Sequence, residues 1–559
     1  MKTDTGVAGG IEGTEQGAPP VVRSAEHADA HSVALSRPLV IIGMILATAL
    51  SALDATVVAT AMPSIVGVLG GLPLYSLVIS SYLLISTTTL PLYGKLSDMY
   101  GRKPVFMFSV GTFIGGSALC GLAWDMPSLI AFRALQGLGA GGVLTLSLTI
   151  IGDLFDVEER ARLQGVFGSV WGISSVVGPL VGGAIVQFWD WRWVFFINVP
   201  IGIVSALLLL LYLREPRIHT RQRIDVLGAL TLTVGVALVL MGLQTMTEGG
   251  GSADADGGLP VTTLLVWIGA VVVLALFALV ERRAQAPMLS LSLLSRPVIA
   301  VPAVVGSLAG AMLMGISAYV PLLVQGAWLG TPILAGLLIA PLSIGWPLAS
   351  SATGRLLRRV SYRSLAITGM ALILAGSTLL LGVALPGVAA NPILRGVVVA
   401  VSTFIIGAGM GMSTTSMLIA VQISVPWSER GIATASVQFF RNMGSTVGTA
   451  VLGTVLTATL MPMLAVEQMR LLIAKMPPVA LKAGADPSLG PVNALFDLSV
   501  RQTLAPQTRD ALAGALASSL WWVYFGIMVM ALVAVLIATR FPHRVGRPQP
   551  PAPTSTSVE

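Results

Sequence analysis

Three ionisable side chains fall inside long apolar stretches of this sequence: Asp54, Arg133 and Arg441. A charge held in an apolar span costs several kcal/mol and is kept where it carries a proton, an ion or a substrate contact. Asp54 is the sharpest case, because each of the other acids among the 25 falls in a tail, a loop or the end of a span. Counted along a helix, Asp54 lies about 8 residues, or roughly 12 Å, inside the outer end of its run. Arg133 lies about 6 residues, or roughly 9 Å, inside the outer end of its own. The two are therefore level and can pair. Burial opposes charge on a carboxyl and a neighbouring cation restores it, which is the balance a proton-carrying site needs. Arg441 stands beside Asn442 with no acid in the surrounding spans, so its charge must be met by water, carbonyls or an anionic group.

A second group of residues suits motion rather than charge transfer. Gly94 to Pro104 reads GKLSDMYGRKP, a charged turn between two apolar runs. Gly94 and Gly101 allow tight turning, Lys95, Arg102 and Lys103 place the turn on the cytoplasmic face, and Asp98 stands one helical turn from Arg102. Gly178-Pro179 followed by Gly182-Gly183 allows a helix to bend, since proline removes a ladder hydrogen bond. Gly137-x-x-x-Gly141 and Gly407-x-x-x-Gly411 permit close helix contact.

The elements that position these residues follow from composition. Charged residues make up 10% of the 559 and hydrophobic ones 55%, with a mean hydropathy of +0.87, values of an all-α integral membrane protein and not of a soluble domain. The net charge of +7 comes from cations in short loops, where membrane orientation explains them and nucleic acid need not be invoked. Cys120 is the single cysteine, which excludes an intrachain disulfide or a cysteine-based metal site. The histidines, His27, His31, His219 and His543, fall in tails or loops. Phosphate-loop, zinc-protease and serine-hydrolase motifs are absent from the sequence, so neither an enzyme nor direct use of ATP is expected, and no cofactor or metal.

Fourteen apolar runs can be counted, at about 38–62, 76–93, 105–123, 128–151, 164–187, 194–213, 226–246, 261–280, 298–323, 332–352, 364–384, 394–421, 432–460 and 518–539. Alternate loops hold the cations: Lys95, Arg102 and Lys103, then Arg160 and Arg162, then Arg214 to Arg223, Arg282 to Arg296, Arg355 to Arg363 and Arg430. The opposite short loops hold only Arg192 and Arg395. That asymmetry places both termini in the cytoplasm. The resulting division is a disordered tail at 1–36, a six-helix bundle at 37–213, a linker with two extra spans at 214–297, a second six-helix bundle at 298–540 and a tail at 541–559. The outer loop at 461–517 is long, which tolerance of surface insertions explains.

The two bundles are related by repeat. Gly137, Gly139 and Gly141 recur at Gly407, Gly409 and Gly411, Glu159-Arg160 at Glu429-Arg430, Ser175 at Ser445 and Val177-Gly178 at Val447-Gly448, each pair 270 positions apart. The charged turn has a worn copy at Gly354-Arg355-Leu356, with Arg358 where Asp98 stands. Two repeated halves with a site between them near mid-membrane are a transporter architecture.

The turn at Gly94–Lys103 resembles the signature loop of the major facilitator superfamily. Further segments resemble its fourteen-span drug/proton antiporters: Leu53 to Val58 continuing to Met62-Pro63, Arg133-Ala134-Leu135-Gln136-Gly137, Gly165 through Gly178-Pro179 to Gly182-Gly183, and Trp191 to Pro200. The chain departs from that group at Ala59, where Asn is usual, and at Ser174, where glycine is usual. The resemblance implies a major facilitator fold with two central spans added. It also implies an association of Arg133 with proton coupling, and a cytoplasmic lock at Asp98 and Arg102.

The expected function is export of an amphipathic or lipophilic compound in exchange for protons by alternating access, in the cell membrane and as a monomer. Asp54 is the coupling carboxylate and Arg133 its modulator. Arg441, Asn442, Tyr319, Trp346, Met312, Met314 and Met410 are the candidates for the cavity wall, methionine adapting to varied shapes. The count of buried charges, two cations and one acid, leaves an anionic, zwitterionic or lipid-like substrate as the alternative. A non-transporting sensor on the same fold is a further one.

Overall fold

The computed structural model describes residues 20–154, 157–213, 226–248, 261–283, 294–384, 390–426, 430–477 and 490–542. Helices account for nearly all of them, and no strand occurs among them. The first half comprises α1 (Pro20–Leu69), α2 (Tyr75–Tyr100), α3 (Arg102–Gly121), α4 (Met126–Leu154), α5 (Val157–Phe188) and α6 (Asn198–Tyr212). Two helices follow, α7 (Val226–Glu248) and α8 (Val261–Arg283). The second half comprises α9 (Pro297–Leu322), α10 (Pro332–Leu356), α11 (Tyr362–Leu381), α12 (Pro392–Ser424), α13 (Arg430–Leu464) and α14 (Pro506–Ala538). Thirteen of the described helices are long and apolar enough to cross a membrane. The remaining one, α5, is 32 residues long, and its apolar described part is Gly172–Phe188.

Boundaries differ from the sequence expectation in three places. The helix of the first span starts at Pro20, so 20–36 continues it; its many Ala residues favour helix, whereas low hydropathy alone suggested disorder. The last span starts at Pro506 instead of 518, because Pro506 to Ser518 is a helix-compatible polar extension of an apolar run. Third, the charged turn is no loop: α2 continues to Tyr100, α3 starts at Arg102, and Gly101 alone turns the chain, with φ +97°. The Gly101 N–H donates to the Ser97 carbonyl at 3.1 Å.

The repeated small residues set the packing of both halves in the same way. Gly137 of α4 lies against the Tyr82 backbone of α2, and Gly407 of α12 against the Leu342 backbone of α10. A Cβ at either position would collide with the neighbouring main chain. Close backbone approach of this kind is how helices associate where surrounding lipid is as apolar as the side chains.

α7 lies over the seam between halves. Leu240 of α7, Leu84 of α2 and Phe439 and Met443 of α13 share one buried cluster, and Thr454 Oγ1 of α13 donates to the Leu243 carbonyl at 3.3 Å. α8 packs on α7 and turns Leu265 and Val271 outward, as a lipid-facing helix does. The long segment after α13 contains the short helices Glu467–Ala474, Gly490–Asn493 and Leu498–Thr503. Residues Val492 to Leu495 in it are fully buried, and Phe496 sits against Gly67 of α1 and Gly326 just after α9. That part is a packed element, which its length and composition did not disclose.

Gly101 is the one position in the signature turn where only glycine is unstrained. Gly101→Ala should cost about 1–3 kcal/mol, read as a lowered thermal midpoint of the purified protein. Gly94→Ala, where an added Cβ meets nothing closer than Thr145 at 4.0 Å, should leave the midpoint unchanged.

Candidate functional site

Asp54 and Arg133 meet in the interior of the first half. Arg133 starts two turns into α4, whose first turn is fixed by a reciprocal cap: Ser128 N–H donates to Asp125 Oδ1 at 2.8 Å, and Asp125 N–H to Ser128 Oγ at 3.2 Å. The Ser128 side chain and its N–H hold the Asp125 carboxyl below the usual aspartate range. From that anchored end Arg133 Nη1 reaches Asp54 Oδ2 at 2.6 Å, with Asp54 1% and Arg133 2% exposed. The pairing expected from depth is therefore present.

The site contains more than the pair. Gln136 Nε2 donates to Asp54 Oδ1 at 2.8 Å and its Oε1 accepts from Arg133 Nη1 at 2.7 Å. Asn198 Nδ2 of α6 donates to the same Oδ1 at 3.0 Å and to Ser117 Oγ of α3 at 3.0 Å, and Ser117 Oγ donates to the Phe195 carbonyl at 2.9 Å. The Arg133 guanidinium lies over the Tyr82 ring of α2, 4.1 Å from its centre. Five helices thus converge on one carboxylate, whose two oxygens accept three hydrogen bonds. Arg133 Nε has no hydrogen-bond partner among the described residues. Gln136, Asn198 and Ser117 were missed as site residues. The signal was available for Gln136, three positions after Arg133 and so on the same helix face; nothing in sequence spacing brings Asn198 and Ser117 to Asp54.

The glycine and proline group on α5 joins this site to the second half. Thr56, two residues after Asp54, donates through Oγ1 to the Ser174 carbonyl at 3.2 Å. Gly178 lies against Thr56, and a Cβ at Gly182 would come within 2.7 Å of the Val57 carbonyl oxygen. On the other face of α5, a Cβ at Gly183 would come within 2.6 Å of the Pro332 carbonyl oxygen, and Gly336 of α10 lies against Pro179. α5 remains one helix through Pro179 and is wedged between α1 and α10. In the signature turn, Arg102 Nη1 donates to Ser97 Oγ at 2.5 Å and Ser97 Oγ to the Gly94 carbonyl at 2.7 Å. Lys95 and Lys103 also make contacts, while the Asp98 side chain lies outside the described ones.

The halves also touch through direct hydrogen bonds. Tyr75 OH donates to the Ala318 carbonyl, Ser80 Oγ to the Thr446 carbonyl at 2.9 Å and Gln325 Nε2 to the Thr60 carbonyl at 3.0 Å, while Ser64 Oγ donates to Gln325 Oε1 at 3.1 Å. These residues sit toward the end of each helix that the cation count assigns to the outside.

The second half contains a cavity of about 190 Å³. Arg441 and Trp346 line it, with the guanidinium carbon 5.8 Å from the Trp346 ring centre. The other residues proposed from sequence do not. Met312, Tyr319 and Met410 are buried in the core, and Met314 packs against it. Tyr319 OH is used up on the Thr449 carbonyl at 3.1 Å. Asn442, beside Arg441, accepts from Gln438 Nε2 at 3.2 Å and does not line the cavity, although Gln438 does. Helical rotation, which sequence depth does not fix, keeps these residues off the wall of this cavity. Glu281, at the inner end of α8, is a further buried carboxylate, remote in sequence from both sites.

Two helical halves joined at a seam, one holding a buried ionic cluster and the other a cavity, define a multi-pass membrane transporter and not an enzyme. Residues 44–449 match the family model of the Major Facilitator Superfamily. The chain is 33% identical over 505 residues to multidrug resistance protein 3 of Bacillus subtilis (strain 168), covering 90% of this chain and 94% of that one. It is 36% identical over 423 residues to the multidrug transporter protein MdtP of the same organism, covering 76% of each. A bacterial homolog of the human lysosomal transporter Spinster, solved in an inward-facing and occupied conformation, shares the fold with a TM-score of 0.60 at 15% identity, over 90% of this chain and 96% of that one. The chain belongs to the major facilitator superfamily.

Removing one partner of a buried pair leaves the other charge without compensation, at a cost of about 3–5 kcal/mol. Asp54→Asn and Arg133→Gln should each lower the thermal midpoint, and the double variant should lose less than the sum of the two single losses. Additive losses would show that the pair is not coupled.

Proposed function

We propose that the chain is a proton-coupled secondary exporter of amphipathic or lipophilic compounds, of multidrug type, working by alternating access. The observation that carries this reading is the Asp54 carboxylate, buried and accepting from Arg133, Gln136 and Asn198. A proton on Oδ1 displaces Gln136 or Asn198, and a proton on Oδ2 removes the negative charge that Arg133 pairs with. Proton loading is thereby linked to the packing of α1 against α4 and α6. Since Thr56 and Val57 on the same stretch of α1 bear on α5, and α5 bears on α10, a shift at Asp54 has a contiguous packed route to the seam between halves. The names of the similar Bacillus subtilis proteins support the multidrug substrate range.

The remaining roles follow the same reading. Gly178, Pro179, Gly182 and Gly183 form the seam along which α5 moves against α1 and α10. Gly94, Asp98, Gly101, Arg102 and Lys103 serve as the cytoplasmic gate, the sharp turn at Gly101 holding α2 and α3 as one lever. The Thr48 hydroxyl, about two turns before Asp54 on α1, is buried without a hydrogen-bond partner among the described residues, and the Ser51 hydroxyl, one turn before Asp54, is buried beside Tyr82; these are the polar groups through which a proton would pass inward. The protein sits in the cell membrane as a monomer, with both termini in the cytoplasm, as the loop cations support.

The test is purified protein in proteoliposomes with an imposed proton gradient, challenged with lipophilic cations and amphipathic anions. Substrate-driven proton movement in the wild type should fall at least ten-fold in Asp54→Asn. Unchanged coupling in the variant would make Asp54 structural, and no flux with any compound would favour a sensor over a transporter.

A further inference from the structure

From the exporter reading, and resting on it, we infer that the cavity in the second half is an anion-selecting subsite, and that Arg441 is the residue that chooses carboxylate-bearing amphipaths over cationic ones. The Arg441 guanidinium makes no hydrogen bond or ion pair among the described residues; its contact is the face of Trp346 at 5.8 Å. No residue lining the cavity is acidic. The deficit extends well beyond the cavity wall. From 296 to 464 the sequence holds eight arginines, Arg296, Arg355, Arg358, Arg359, Arg363, Arg395, Arg430 and Arg441, and one acid, Glu429. The two halves differ sharply here, because Arg133 has Asp54 and Arg441 has nothing of opposite charge.

A guanidinium held in a low-dielectric cavity is a strong, geometrically specific donor to a planar oxyanion, which it can meet with two parallel N–H groups. A cation–π contact with Trp346 keeps the guanidinium at the cavity wall. The rest of the wall suits the body of an amphipath: Pro302, Val305, Met370 and Met417 are apolar, and Thr414 contributes a hydroxyl already donated to the Met410 carbonyl at 2.6 Å. At about 190 Å³ the cavity is smaller than the roughly 300–1,000 Å³ of whole-ligand pockets, so it receives the acid group and the adjoining part of the molecule. A cationic compound would enter against the uncompensated charge of Arg441.

The experiment measures binding by the full-length protein in phosphatidylcholine nanodiscs, without a proton gradient, using three dansyl probes on one undecyl chain. Their head groups are carboxylate, neutral amide and trimethylammonium, and signal from empty nanodiscs is subtracted. Wild type should bind the carboxylate at least ten-fold more tightly than the trimethylammonium probe. Arg441→Gln should weaken the carboxylate about ten-fold and leave the amide unchanged, which also shows that the cavity is intact; Arg441→Lys should retain part of the preference. Equal binding of the charged probes by wild type would overturn the inference, as would an Arg441→Gln variant that weakens all three alike. Head-group preference in a protein that moves no protons would sink the exporter reading and leave this subsite standing. Proton coupling with no head-group preference would do the reverse.

Discussion

The structure is organised by the need to keep one carboxylate charge in an apolar bundle. Asp54 is held by donors from α4 and α6, and α3 supports the α6 donor through Ser117. A buried charge is tolerated only with its hydrogen bonds complete, and completing them fixes where four helices stand relative to one another. The close glycine contacts serve the same end: α4 can bring Arg133 to Asp54 because Gly137 and Gly139 let it approach α2 and α3 at backbone distance. The first half is thus a tightly specified body whose least exchangeable feature is electrostatic.

Much of this was legible in the sequence for a physical reason. A charge in an apolar run is conspicuous, and a fixed helical rise converts position into depth, so Asp54 and Arg133 could be placed at one level before any geometry was known. The long apolar helices and the repeat follow from hydrophobic length and recurring glycines in the same way. Rotation about each helix axis is the quantity that depth leaves free. Met312, Met410 and Tyr319 were at plausible depths but face the core, whereas Gln438, Met370 and Met417 line the cavity and carried no sequence signal. Asn198 and Ser117 were hidden because α3 and α6 become neighbours only through the tertiary fold. The signature stretch was misjudged as a loop since its polarity marks the membrane edge, while helix propensity continues through it to Gly101.

The seam between halves combines rigidity with interfaces that can part. α5 presents glycines on two faces, Gly178 and Gly182 toward α1 and Gly183 toward α10. Contacts made of backbone and small residues have no interlocked side chains to withdraw, so sliding costs less than at an interdigitated interface. The hydrogen bonds that cross between halves use Tyr75, Ser80, Ser64 and Gln325, several of them ending on carbonyls. Each is a neutral bond of modest net strength. The halves are therefore held together here by several weak contacts and, among these residues, not by an ion pair.

The repeat makes the charge distribution of the two halves a comparison within one molecule. Gly137 and Gly407 occupy matching positions and pack in matching ways, so the backbone frame is shared, yet one half encloses a neutralised pair and the other an arginine facing a cavity without a counter-charge. If both halves bound substrate, duplication would tend to leave polar groups in both interiors. Instead the first half has its polar groups turned inward on one another and closed to solvent, while the second keeps its cation available. That asymmetry separates the group suited to exchange a proton from the group suited to meet a ligand, and leaves α5, which touches α1 two residues from Asp54 and α10 on its opposite face, as the packed element between them.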